Sequence, residues 1–339
     1  MPQKFRLFDL PFLALKVILE IAGPQFVFCL SLCSKRSKYR IINQGKIFSN
    51  INLSLSPFEI SIQNGNLVAT VENSSALSEH HGLQSVTIRD STVPAKIHEQ
   101  KKGCLVTYWS DKNQGLIEIA KYASEIFNQK IHSLTCNNTV TPLDIIFVLD
   151  FINNFQESVY QCTISSGQLN DKQILYILGN LNVTGHLSFA SRPSRDFQGP
   201  PTPRPFFMDT IHFYPSRWIT VDQLAMMDCK VVILDASVLT CKELNTFLKK
   251  WTQGECSRRI QELTVEIDEI LNYEELLDGI EVTRREPQVT REFLMYWNIS
   301  KTIEGGLDIK RAHDGAIATI ENHIAESAVL RVIFWPKEN

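Results

Sequence analysis

A chain of 339 residues with 34 basic and 37 acidic side chains has a net charge of −3, so it holds no surplus of positive charge for tracking nucleic acid or an anionic membrane. Its 44% apolar and 21% charged residues exclude global disorder. At this length roughly three quarters of the unfolded chain's surface is buried on folding, so stability requires neither disulfides nor metal. Two domains are the expectation.

In chain order, residues 1–46 predict three short helices. Leu10-Pro11 opens the first, because proline tolerates the first helical position, where its missing N–H would be unpaired anyway. Leu15, Ile18, Leu19 and Ala22 recur at three- and four-residue spacing. Gly23-Pro24 ends that helix and begins one carrying Phe26, Val27, Leu30 and Cys33. Lys35–Arg40 continues as a third with Ile41 and Ile42. Three helices this short cannot bury their apolar side chains among themselves, and the surplus suggests a partner's groove. Asp9, Lys16 and Glu20 interrupt the apolar stretch, and no charge-free run reaches the roughly 18 residues of a membrane span. No membrane association is expected.

Residues 47–115 predict a β-rich connector, with Ile60, Ile62, Leu67, Ala69 and Val71 alternating around the hairpin signal Asn64-Gly65. Residues 116–285 predict helix-then-strand units: Leu116–Phe127 before Ile131–Cys136, Pro142–Phe155 before Val159–Ser165, and Lys172–Leu181 before His186–Ala190. After the strand Met208–Tyr214 come Thr220–Met227 before Lys230–Asp235 and Lys242–Trp251 before Gln261–Ile267. The strand centres lie roughly 26 residues apart, in the range of an irregular leucine-rich-repeat-like α/β solenoid. An ordinary α/β sheet is the alternative. Ser191–Pro205 holds five prolines and predicts a loop. Residues 286–339 return to alternation and predict a C-terminal antiparallel β cap over the last edge. The expected fold class is therefore α+β / α/β: an N-terminal three-helix unit, connector, solenoid and cap.

The eight cysteines are scattered without framework spacing, which points to a reducing, cytoplasmic or nuclear setting. Five Asn-x-Ser/Thr sequons occur, where chance supplies about three. Phosphate-binding glycine loops, a nucleophile elbow and a His-Glu-x-x-His zinc motif are all missing from the sequence. Cys29 and Cys33 share a helical face without a second ligand pair, His80-His81 reads as solvated, and Glu266–Asp278 as an acidic surface. Nothing in the sequence supports an enzyme, although active sites need not carry linear motifs, and no cofactor or metal is expected; the non-catalytic role comes from the resemblance that follows.

Leu10-Pro11, the apolar helix after it, Gly23-Pro24 and Leu30–Arg36 together resemble an F-box of the large nematode family. Leu13 and Ser37 stand where many F-boxes carry an acidic residue and Trp. Further on, Trp218–Leu224, Cys229, Leu244-Asn245, Phe247–Trp251 and Gly254 resemble the F-box-associated domain of those proteins, and Asp308–Arg311 with Asp314-Gly315 their tail. The resemblance implies a substrate-recognition adaptor of a Skp–cullin–F-box ubiquitin ligase. Its partners would be a Skp-type linker, cullin through it, and a protein substrate. Leu10, Pro11, Leu15, Ile18, Leu19, Leu30 and Cys33 are the expected linker-facing or supporting apolar residues. Three alternatives stay open: a repeat-type interaction scaffold not coupled to ubiquitination, an α/β hydrolase-like enzyme with non-local groups, and a secreted glycoprotein.

Overall fold

Helices and strands fall into two units, residues 1–166 and 167–339, in a computed structural model that describes residues 6–75, 82–98, 103–200, 206–295, 300–321 and 328–335. His80-His81 lies outside the described residues.

Unit 1 opens with α1 (Phe12–Leu32) and α2 (Lys35–Ile42). Gly23 bends α1 because its φ of +85° breaks the helical ladder ahead of Pro24. Ser34 caps α2, its hydroxyl accepting the Ser37 amide. The strands are β1 (Ile51–Leu55), β2 (Phe58–Ile62), β3 (Asn66–Asn73), β4 (Gln84–Ile88), β5 (Ser91–Ile97), β6 (Leu105–Trp109), β7 (Ile131–Cys136) and β8 (Val159–Ser165). α3 (Lys112–Phe127) precedes β7, and α4 (Pro142–Phe155) precedes β8. They form one mixed sheet in the order β8-β7-β1-β2-β3-β6-β5-β4. The β2–β3 hairpin turns at Asn64 and Gly65, both at positive φ as a tight right-twisted turn demands. The core gathers on α3: Phe28 stands edge-on to Tyr122 and stacks on Phe127, which also meets Phe48.

Unit 2 contains α5 (Asp171–Asn180), β9 (Val183–Ala190), β10 (Thr210–Tyr214), α6 (Val221–Met226), β11 (Val231–Ser237), α7 (Cys241–Gln253), β12 (Glu262–Ile267) and α8 (Tyr273–Leu276). Then follow β13 (Val282–Leu294), β14 (Ser300–Lys310), β15 (Ile317–Ile320) and β16 (Val329–Phe334). The sheet order is β9-β10-β11-β12-β16-β15-β14-β13. β9 to β12 run parallel and the remaining pairs antiparallel. Capping boxes start α5, α6 and α7, where Asn170, Thr220 and Thr240 exchange hydrogen bonds with Gln173, Gln223 and Glu243. All eight cysteines are free thiols.

The helix-then-strand elements between residues 112 and 267 lie where the periodicity places them, but β13 begins at Val282, ahead of the cap expected from residue 286, and the architecture is corrected. The N-terminal segment is not a separate three-helix unit. The helical stretches themselves are there, α1 being two of them joined across non-helical Gly23, but α1 buries Leu15, Leu19, Val27 and Phe28 at 1% exposure or less within unit 1. Nor do residues 116–339 form a solenoid with a small cap. Half of the unit 2 strands lie outside the helix-then-strand series, and β16 hydrogen-bonds directly to β12, giving one mixed eight-stranded sheet. A parallel strand's open edge is satisfied equally by a further repeat or by an antiparallel neighbour, and periodicity cannot choose between them.

Candidate functional site

Two features of the surface have the makings of a site, one in each unit. The first is on α1. Its buried side is held by the aromatic contacts of Phe28 and by Ser31 Oγ, 3.0 Å from the Tyr122 hydroxyl. Lys38 on α2 pairs with Glu125 at 2.8 Å and lies over the Tyr122 ring. Burial pushes the Tyr122 phenol up to about 12 and the Cys29 thiol up to about 11, the latter helped by Cys33.

The opposite side of the helix is bare. Phe12, Leu13, Val17 and Ile21 form an exposed apolar stripe, with Leu13 73% and Ile21 81% exposed, and Phe26 follows past the bend. Leu13, Val17 and Ile21 are four apart and so stand one above the other.

Of the linker-facing residues expected from the sequence, Pro11 and Cys33 are exposed, Leu10, Ile18 and Leu30 half-buried, and Leu15 and Leu19 buried in unit 1. The sequence does not single out the stripe residues, since Lys16 and Glu20 alone break the apolar surface of residues 12–22 and periodicity cannot tell its inner from its outer side. Leu13 and Leu15 are two residues, or about 200°, apart on the helix. By length and composition α1 could also cross a membrane.

The second feature is in unit 2, where a cavity of about 670 Å³ is lined by Arg192, Arg195, Phe197, Pro215, Arg217 and Trp218. Its floor is aromatic. The Trp218 ring, 6% exposed, stands edge-on to Phe213 at 5.0 Å and to Phe197 at 5.7 Å. The loop carrying Arg192 and Arg195 lies tight on this floor. At Gly199, with φ +74°, any Cβ would sit 2.5 Å from the Trp218 ring. The loop's other end is latched to the first turn of α5, where the Ser194 amide and hydroxyl donate to the Asp171 carboxylate at 2.8 and 2.6 Å. Those two hydrogen bonds hold the Asp171 carboxyl below the usual carboxylate range. A neighbouring cavity of about 540 Å³ shares Arg192 and Ser194 and adds Lys172.

With this geometry in view, the comparisons with known proteins fall on unit 2. Residues 205–265 match the family described as F-box associated. An F-box itself is not detected. Over 298 residues the chain is 20% identical to the Skn-1 dependent zygotic transcript 15 protein of Caenorhabditis elegans, covering 83% of this chain and 85% of that protein. No solved structure matches.

The matched span holds four residues of the larger cavity, Pro215, Arg217, Trp218 and Val238. Most of the residues that carry the resemblance are structural. Thr220 caps α6, the Asn245 amide donates to the Leu276 and Asp278 carbonyls, and Trp251 is buried against Phe334 under the Arg311 guanidinium. Gly254 ends α7 at φ +79°. No group of three His, Cys, Asp or Glu able to hold a metal ion occurs among the described residues.

Proposed function

We propose that this chain is a non-catalytic substrate-recognition adaptor of a Skp–cullin–F-box ubiquitin ligase, cytoplasmic or nuclear. α1 docks on a Skp-type linker, with cullin reached through it, and unit 2 receives a protein substrate. The observation that carries the reading is the exposed stripe Phe12, Leu13, Val17 and Ile21 on a helix whose far side is anchored. Four large apolar side chains on a fixed helix form a preorganised patch, which a partner's groove can cover without an ordering cost. The F-box-associated match in unit 2 supports the coupling to ubiquitination. Catalysis by such an adaptor is proximity, because tethering raises the effective concentration of substrate lysines beside a charged conjugating enzyme.

Within this reading the docking set shifts. Leu15 and Leu19 support the helix from inside, whereas Pro11 and Cys33 are exposed and Leu10, Ile18 and Leu30 half-buried. The test is co-expression with a Skp-type linker followed by size exclusion, with Leu13→Asp/Ile21→Asp alongside. A 1:1 complex lost in the variant supports docking through the stripe. A folded protein that ignores the linker overturns it. Sedimentation of the wild type with phosphatidylcholine vesicles, abolished in the same variant, would favour instead the membrane-lying helix that the composition of α1 permits.

A further inference from the structure

We propose that the outer side of α4 docks a basic amphipathic helix of a partner protein. The site is separate from the α1 stripe and does not rest on the adaptor reading.

A helix that covers one face of a sheet ordinarily turns charge toward solvent. α7 does so, with Lys242, Thr246, Lys249 and Lys250 on the side away from its buried Leu244, Phe247 and Leu248. α4 does the reverse. Ile145, Val148, Leu149 and Ile152 are its buried side, within unit 1. The other side carries Leu143, 73% exposed, with exposed Phe147 and Phe155 and half-buried Phe151. These four side chains are spaced four apart and so run as one ridge along the helix. The ridge is set before any partner arrives. Phe151 stacks on Phe155 with ring centroids 5.3 Å apart, and the Lys121 ammonium lies over the Phe151 ring while pairing with Glu118 at 3.2 Å.

The occupant follows from charge. The charged residues of α4 are both acids, Asp144 and Asp150, and Glu157 follows past its end. Asp144 keeps its charge, because Asn113 Nδ2 at 2.5 Å and Thr141 Oγ1 at 2.7 Å are neutral donors. A second copy of α4 packed antiparallel would set Asp150, near the middle of the ridge, against its own mate with no base on either helix. An anionic membrane is repelled for the same reason. A partner helix with an apolar stripe flanked by Lys or Arg meets both features: its apolar side chains interleave with the ridge and its cations reach the acids.

The test titrates the full-length protein into three fluorescent model peptides and follows polarisation. One is a Leu/Lys amphipathic helix, one its Leu/Glu counterpart, and one the Leu/Lys composition scrambled. We expect the Leu/Lys helix to bind roughly tenfold or more tightly than the other two, and added salt to weaken it. Leu143→Gln/Phe147→Gln abolishes that binding while melting as the wild type does, because both positions are exposed and glutamine is a good helix former. Asp144→Asn/Asp150→Asn weakens it roughly fivefold. Binding that survives the glutamine variant, or that is lost instead in Leu13→Asp/Ile21→Asp, overturns the site. Equal binding of the Leu/Glu or the scrambled peptide overturns the basic helical partner. A wild-type dimer in sedimentation velocity that the glutamine variant turns into a monomer overturns the proposal in favour of a second copy. No binding at about 0.1 mM protein overturns it outright. The two helices are tested by different variants, so a loss at α4 does not count against the linker experiment, nor the reverse.

Discussion

Ser194 reaches Asp171 with both its amide and its hydroxyl, at 2.8 and 2.6 Å, and so ties the arginine-bearing loop to the first turn of a helix 23 residues away in sequence. Asp171, which lines the smaller cavity, keeps its negative charge in this latch. Because Ser194 donates to the ionised form, the Asp171 carboxyl titrates below its ordinary value. A depressed carboxyl contributes stability above its unfolded pKa of about 3.9 and loses it as pH falls through the folded value. The latch therefore persists across the neutral range. Asp171→Ala should free the Ser194 amide and speed its hydrogen exchange by roughly tenfold at pH 7. Unchanged exchange at Ser194 would show that the loop is held without the latch.

The two sides of α1 should respond oppositely to the same chemistry. Leu19→Asp places a charge in a site of 0% exposure, and we expect a loss of about 3–5 kcal/mol in denaturant unfolding. Ile21→Asp, at an 81% exposed position, should leave unfolding unchanged within about 0.5 kcal/mol and still abolish linker binding. Equal destabilisation by both would mean that the outer side of α1 is also packed.

Thiol reactivity offers a footprint of the docking surface. Burial pushes Cys29 and Cys256 up to about 11, and Cys162 and Cys229 up to about 12, so these thiols stay protonated at pH 8. Cys33 is exposed at the end of α1. Alkylation followed by mass spectrometry should find Cys33 modified first, and bound linker should slow it. An unchanged rate in the complex would place Cys33 outside the interface.

At Gly115 two effects of opposite sign compete. Alanine is worth about 1 kcal/mol over glycine inside a helix. Here its Cβ would stand 2.5 Å from the Trp109 ring, whose indole N–H donates to the Thr107 hydroxyl, so the ring cannot easily retreat. Overpacking costs about 1–3 kcal/mol, and Gly115→Ala should be net destabilising in thermal unfolding. A raised melting temperature would mean that the ring yields freely.

Asp308 is 5% exposed and collects Arg285, Arg291 and the Thr319 hydroxyl at 2.7–2.8 Å. Burial works against its ionised form, but the hydrogen bonds from Arg291, Thr319 and Arg285 prevail and hold the carboxyl below its usual value. Asp308→Ala strands two arginines against β14 and should cost about 2–3 kcal/mol in urea unfolding at pH 7. The penalty should shrink as pH falls through the carboxyl's folded value. A penalty independent of pH would assign the loss to packing alone.

Where the sequence was legible, it was legible because the signal is local. β7, α4 and β8 occupy the stretches that periodicity marks, and Asn64-Gly65 turns its hairpin, since alternation, three-four spacing and turn chemistry all act within a few residues. Trp218 and Trp251 carry the resemblance and are buried, as specifying core residues are. The docking stripe was less legible. Leu15 and Leu19 belong to the expected facing or supporting set and are buried, while the exposure of Leu13, Val17 and Ile21 cannot be read from spacing. With only Lys16 and Glu20 to break it, the apolar surface of this stretch gives no local cue to which side its own unit covers.

The sequence by itself determined the helices, the strands, the caps and the absence of linear catalytic motifs, because each depends on neighbours within about one turn or one hairpin. Only the tertiary structure decided that β16 joins β12 in one mixed sheet. Folding alone also turned Leu19 inward and Ile21 outward, and gathered Arg192, Arg195 and Arg217 around one cavity. Those outcomes rest on contacts between residues distant in sequence, where burial and charge pairing are settled by what packs alongside rather than by what precedes or follows in the chain.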